Sequence, residues 1–268
     1  MTFAASTVSC RVGLPREGAM VPSSRRVCVI TGGASGIGLA LAHGLVALEW
    51  DVVIADRDIP DAEGLNATCG FDAVRTDVMS TASVDSLFKH VRTRYRGLDA
   101  LVNAAGFNRH QPAAELDDHT WITQFDVHLG GVIRCCRAGH SLLRDSGNGR
   151  IVNFSSVGAH RGRPNRAPYS AAKAGVEALT RSLAVEWAAD SIRVNCVAPG
   201  WIDTQMIHVA SAGPADRLTR ISEYIPLRRL GTAEEAANAA LFFISDASSY
   251  ITGQCLIVDG GALINGDW

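Results

Sequence analysis

The sequence predicts an α/β fold: one parallel sheet, doubly wound, with helices on both faces. Three observations lead there. Six short Val- and Ile-rich runs end in, or run directly into, Gly, Asp or Ser, as buried strands do. The stretches between them place apolar residues at helical spacing. Neither a linker-length break nor an internal repeat interrupts this alternation, so residues 25–268 are read as a single domain.

In order, "VCVIT" (27–31) and "DVVIAD" (51–56) read as the first two strands. "DAVRTD" (72–77) is a weaker third. "LDALVNAAG" (98–106), "RIVNFSS" (150–156), "IRVNCVAPG" (192–200) and "CLIVDGG" (255–261) follow. "SVDSLFKHVRTRY" (83–95) and "AEEAANAALFFIS" (233–245) read as amphipathic helices. Residues 201–226 carry Gly, Pro and scattered apolar residues without a clear strand. An insertion of this kind before the last helix and strand reads as an active-site lid, or as a surface loop. Residues 1–24 are expected to form a disordered tail rich in Ser, Gly and Pro, or in part to lie upstream of a start at Met20.

Bulk composition narrows the function. The chain is 47% hydrophobic and 19% charged, with a formal charge of −2, and shows no basic run. That argues against nucleic acid as a partner. No apolar run approaches a membrane span, and the N-terminus lacks a continuous apolar signal core. The seven cysteines show no CxxC and no His/Cys cluster at zinc spacing, so no metal site is expected. Their odd number points to reduced thiols and a cytoplasmic location.

"VCVITGGASGIGLALAHGL" combines a strand, a glycine-rich turn and a helix. Gly32, Gly36 and Gly38 would let a pyrophosphate approach the backbone at the helix N-terminus, with Ser35 and Ile37 between them. By itself the turn reads equally well as a tight connection. The next strand ends in Asp56, about 20 residues on. A carboxylate there accepts hydrogen bonds from an adenosine ribose and repels a 2′-phosphate, which favours NAD over NADP. Arg57, directly after it, would favour that phosphate; Asp56 also reads as a plain strand-end turn residue.

"YSAAK" (169–173) sets Tyr169 and Lys173 four residues apart, on one face of a helix. A free phenol has a pKa near ~10. An ammonium one turn away would stabilise the phenolate and bring it nearer the working pH of a general acid/base. Taken alone, the pair reads as an ordinary surface contact.

Gly32, Gly36 and Gly38 in "TGGASGIG", "NAAG" (103–106), the serine of "NFSS", "YSAAK" and "NCVAPG" occur in one order. Together they resemble the classical short-chain dehydrogenase/reductases, from about Arg26 to near the C-terminus. The resemblance implies a Rossmann-like, seven-stranded parallel sheet, a nicotinamide cofactor, and a homotetramer or homodimer. It implies Tyr169 as acid/base with Lys173 as its partner. The family serine stands thirteen residues before the tyrosine, which selects Ser156 over Ser155. Asp77 matches an adenine-contacting aspartate, with Val78 after it. Asn103, Ala104, Ala105 and Gly106 would pass beside the cofactor. Pro199, Gly200, Ile202 and Thr204 match the segment that holds the carboxamide. One position departs: "VHLGG" places His128 where the family usually has asparagine. A backbone role there survives the change, whereas a side-chain role does not; a satisfied core histidine is the other reading.

The expected function is an NAD-dependent oxidoreductase interconverting a small-molecule secondary alcohol and its ketone. The alternatives are an NADPH-dependent 3-oxoacyl thioester reductase and a non-catalytic dinucleotide-binding sensor. Asn108, Arg109, His160 and Arg161 read as pocket residues for a polar or acidic substrate, or as solvated loop residues. Trp201, Met206 and Ile207 read as an apolar pocket wall or as lid packing. The apolar helical stretches 130–143 and 169–187 fit burial between subunits, so a homotetramer, or a homodimer, is expected.

Overall fold

The computed structural model describes residues 25–59, 70–95, 97–210 and 216–266, so the expected tail at 1–24 lies outside the described residues. Seven strands form one sheet: β1 Val27–Thr31, β2 Asp51–Asp56, β3 Phe71–Arg75, β4 Ala100–Asn103, β5 Gly149–Phe154, β6 Ile192–Pro199 and β7 Cys255–Val258. All pairings are parallel, in the order β3-β2-β1-β4-β5-β6-β7. The chain winds outward from β1 to β3, then returns to β4 on the other side of β1. A crevice therefore opens beyond the carboxyl ends of β1 and β4.

Successive strand residues face opposite layers. Val27 and Val29 join a core with Leu87, Phe88, Leu101, Cys135, Leu143 and Val176. Cys28 and Ile30 join one with Leu41, Leu45, Ile54, Phe243 and Ile244. Helix α1 (Gly36–Ala47) and the late helix α8 (Ala233–Ile244) cover the second face. Helices α2 (Thr81–Arg94), α4 (Gly131–Asp145) and α5 (Ala167–Glu186) cover the first. Two-sided burial explains why the strands read as unbroken apolar runs.

Several elements differ from the expectation. The run at 98–106 contributes only four strand residues, because Ala104 N–H turns to Thr31 O (3.1 Å) and the chain leaves the ladder. A short helix α3 (Asp118–Phe125), capped by Asp117, runs into α4 through a π-helical turn at Asp126–Gly130. The stretch 201–226 holds two short helices, α6 (Gln205–Ala210) and α7 (Arg217–Tyr224), and one isolated bridge from Ile202 to Gly231. Among the described residues, no helix is long and apolar enough to cross a membrane.

Candidate active site

The glycine turn is held by close backbone packing. Gly32 has φ +69°, and a Cβ there would lie 2.7 Å from the backbone of Ala105. A Cβ on Gly38 would lie 2.2 Å from the carbonyl oxygen of Gly32. Gly36 (φ +53°) looks across the crevice at Thr204, whose Cγ2 lies 3.5 Å from where its Cβ would be. Ser35 begins α1 without a side-chain capping bond. The first-turn N–H groups beside Ile37 therefore face the crevice without a side-chain acceptor, which suits a pyrophosphate.

Asp56 sits over the same turn. Its Oδ2 accepts from Ala34 N–H and its Oδ1 from Asp58 N–H, both at 3.2 Å. Arg57 is drawn away onto Asp58 (3.0 Å). Further along the crevice, Asp77 accepts from Met79 N–H (2.9 Å), and Val78 is buried beside it. Asn103 Nδ2 donates to Asn153 Oδ1 (2.9 Å) inside the core, which fixes the turn through Ala104, Ala105 and Gly106. Pro199 ends β6, Gly200 N–H donates to Val258 O (2.8 Å), and Ile202 is buried. The expected cofactor residues thus sit at or just beyond the carboxyl ends of β1, β2, β3, β4 and β6, a placement that suits a dinucleotide.

Ser156, Tyr169 and Lys173 come together beyond the end of β5. Ser156 opens a 3₁₀ turn (Val157–Ala159) after β5, and its Oγ accepts from Gly158 N–H (3.1 Å). Ser156 Oγ and the Tyr169 ring both lie within 3.5 Å of where a Cβ on Gly158 would be, so the hydroxyl sits beside the phenol. Ser155 points the other way, donating to Glu177 Oε1 (2.7 Å), so the serine facing the crevice is Ser156. Pro168 in the first turn of α5 suits a helix start and brings Tyr169 in one residue later.

Lys173 is 6% exposed, and its Nζ donates to Phe154 O at 2.6 Å. It lies 5.9 Å from the centre of the Tyr169 ring. Burial lowers its pKa to about 8. This corrects one sequence expectation. Burial pushes the Tyr169 phenol up, and the groups opposing that are the Ser156 hydroxyl and the Arg166 guanidinium. Spacing puts the ammonium on the correct face, but the lysine stem carries it onto a strand-end carbonyl.

His128 lies in the π turn, 1% exposed. Its ring meets Tyr169 edge-on at 5.1 Å and stacks on Phe107 at 5.5 Å. Nε2 donates to Phe107 O (2.8 Å), whereas buried Nδ1 has no partner. Burial, reinforced by Lys173, holds its pKa near 3, so the ring is neutral. Gly106 makes room for it, since a Cβ there would fall 2.7 Å from the ring.

The remaining candidates divide. His160 turns inward to Glu177 Oε1 (2.9 Å), and Arg161 donates to the Tyr224 hydroxyl. Asn108, with its amide oriented to satisfy both neighbours, accepts from Arg166 (3.2 Å) and donates to His110 (3.1 Å). Arg109 and Met206 are exposed, Ile207 is half-buried, and Trp201 packs against Tyr224. Sequence reasoning missed Arg163 and Arg166. Their segment "RGRPNRAPY" has no periodicity that says which side chains turn inward.

Comparison with known proteins agrees with this fold. A family model described as enoyl-(acyl carrier protein) reductase matches residues 32–262. The chain is 41% identical over 244 residues to cis-4-hydroxycyclohexanecarboxylate dehydrogenase of Sinomonas cyclohexanicum, covering 89% of this chain and 96% of that protein. It is 36% identical over 247 residues to the 3-oxoacyl-(acyl-carrier-protein) reductase FabG of Chlamydia muridarum, covering 88% and 96%. The solved structure of Thermoplasma acidophilum aldohexose dehydrogenase superposes with a TM-score of 0.84 at 29% identity, covering 91% and 96%.

Proposed function

The chain belongs to the short-chain dehydrogenase/reductase family, oxidoreductases that use a nicotinamide dinucleotide, and from this we propose that it interconverts a secondary alcohol and a ketone with NAD, Tyr169 serving as acid/base. The observation that carries the proposal is Ser156 and Tyr169 side by side beyond the end of β5, with Lys173 buried 5.9 Å from the centre of the phenol ring.

The bound nicotinamide supplies the hydride acceptor or donor. Ser156 Oγ hydrogen-bonds the substrate oxygen and stabilises charge as it builds there. Tyr169 Oη takes the alcohol proton, or returns one to the carbonyl. Lys173 keeps a positive charge close to the phenol. His128, neutral and packed edge-on against Tyr169, holds the ring in place. Gly32, Gly36 and Gly38 let the pyrophosphate reach the start of α1, and Asp56 takes the adenosine ribose. A 2′-phosphate would meet the Asp56 carboxylate, and Arg57 is already paired with Asp58.

One observation favours a second reading, an NADPH-dependent 3-oxoacyl thioester reductase. Arg57 and Arg75 both line a groove beside Asp58, where their guanidiniums would suit a 2′-phosphate. A non-catalytic sensor has no need of Ser156, Tyr169 and Lys173 gathered at one point. We also carry forward a cytoplasmic homotetramer. Leu256 and Ile257 on edge strand β7, with nearly bare Val185 and Ile264, offer apolar surface to a second copy.

The test is Tyr169→Phe, assayed with NAD(H) and NADP(H) against alcohols, ketones and acyl thioesters. We expect turnover to fall by about 10²- to 10⁴-fold, while cofactor binding, read by nicotinamide fluorescence, persists. Unchanged turnover would refute the acid/base assignment.

A further inference from the structure

Three arginines gather near Tyr169 and Trp201, two from the loop before α5 and one from the start of α7. Arg166 Cζ lies 5.8 Å from the centre of the Tyr169 ring. Arg163 Cζ lies 4.2 Å above the ring of Trp201, which meets Tyr224 at 5.7 Å. Arg217 opens α7, near enough for its charge to act on both Arg163 and Arg166. Asn108 and His110 complete the edge. Among the described residues, no carboxylate pairs with Arg163, Arg166 or Arg217; the arginines that do have such partners lie elsewhere.

This arrangement is costly without a ligand. Burial, and then the charges of Arg166, Arg217 and Arg161, lower Arg163 to about 10. Arg166 is lowered by burial, with Arg217 acting in the same direction. Burial, then Arg166, Arg217 and Arg163, lowers His110 as well. The guanidiniums remain cationic at neutral pH, half-buried, and near enough to repel one another. An anion between them would relieve the repulsion and fill their planar donor forks.

We propose that Arg163, Arg166 and Arg217 form the anion-binding end of the substrate pocket, so that the alcohol or ketone carries an oxyanion, a carboxylate or a phosphate, close to its reacting carbon. This inference rests on the oxidoreductase reading of Tyr169. Arg166 beside the phenol sets the scale: the anion sits within about one arginine length of the proton-transfer oxygen. A compact hydroxy acid or polyol phosphate meets that condition. A 3-oxoacyl thioester is uncharged near its reacting carbon and does not. Trp201 and Tyr224 supply flat apolar walls for the body of a small ring or chain.

The experiment uses the full chain with NAD and two matched pairs: cis-4-hydroxycyclohexanecarboxylate against its carboxamide, and a polyol against its monophosphate. We expect kcat/KM to favour the charged member of one pair by about 100-fold, the pair identifying the oxyanion. Arg163→Gln and Arg166→Gln should each reduce that value by roughly 10- to 100-fold, with partial recovery in Arg166→Lys. A binding readout stands apart from turnover. Inorganic phosphate should raise the thermal midpoint more than chloride at equal ionic strength, and the difference should vanish in both glutamine variants. It should also perturb Trp201 emission, read against Trp201→Phe. Equal turnover of charged and neutral members, unchanged by the arginine variants, would overturn the anion site and leave the oxidoreductase reading standing. Arginine-dependent anion binding with no turnover of any alcohol would support the anion site and count against that reading. Neither binding nor preference would overturn the proposal.

Discussion

Lys173 gives a prediction whose size follows from its surroundings. The side chain is 6% exposed and, among the described residues, its ammonium has a single hydrogen-bond partner, the carbonyl of Phe154. Burial lowers its pKa from 10.5 to about 8. Unfolding restores the higher value, so below pH 8 both states are protonated and the folded state bears the full cost. Between pH 8 and 10.5 the unfolded chain binds more protons than the folded one, and stability therefore rises with pH across this window. At about 1.4 kcal/mol per pH unit, the gap amounts to about 3 kcal/mol. Other groups titrate in the same range, so the measurement is a difference. Wild type and Lys173→Met are unfolded in urea at pH 7 and pH 10.5, without cofactor and at one protein concentration. Wild type should gain about 3 kcal/mol relative to the variant over that interval. A direct NMR titration of the Lys173 side chain should have its midpoint near 8. A flat stability difference, or a midpoint at the ordinary lysine value, would refute the reasoning.

Three further outcomes are expected. His128 stays neutral down to about pH 3 when folded but takes a proton near 6.5 when unfolded, so stability falls by about 1.4 kcal/mol per pH unit below 6.5; His128→Phe should flatten that slope in urea unfolding between pH 4 and 7. Asp56→Ala removes the carboxylate over the glycine turn, and the NADP/NAD ratio of kcat/KM should rise by about 10- to 100-fold. Gly38→Ala drives a methyl group against the Gly32 carbonyl, so stability should drop by about 1–3 kcal/mol and cofactor affinity should drop with it, measured by denaturant midpoint and nucleotide titration.

The centre of the sheet was legible in the sequence because its strands β1, β2, β4, β5 and β6 are buried on both faces. "VCVIT" and "DVVIAD" have no solvent side to disguise, and their bounds match the structure residue for residue. Most of the expected cofactor residues could be placed for a related reason: they lie within a few positions of a strand end, which fixes where they emerge. The π turn at Asp126–Gly130 was not, since "DVHLG" carries neither a breaker at its start nor a cap that marks a register change. The bond between Lys173 and Phe154 was hidden as well. Four-residue spacing says which helix face a lysine leaves from, not which carbonyl its flexible stem reaches. The arginine cluster is the extreme case. Arg163 and Arg166 come from an irregular loop and Arg217 from a helix that follows α5, β6 and α6, so no window of sequence contains the site. Proton transfer needs groups held rigidly together, and one helix after one strand end can encode that in a short motif. Substrate choice uses residues recruited from wherever the rim happens to close, and those become visible only when charge without a partner is found in three dimensions.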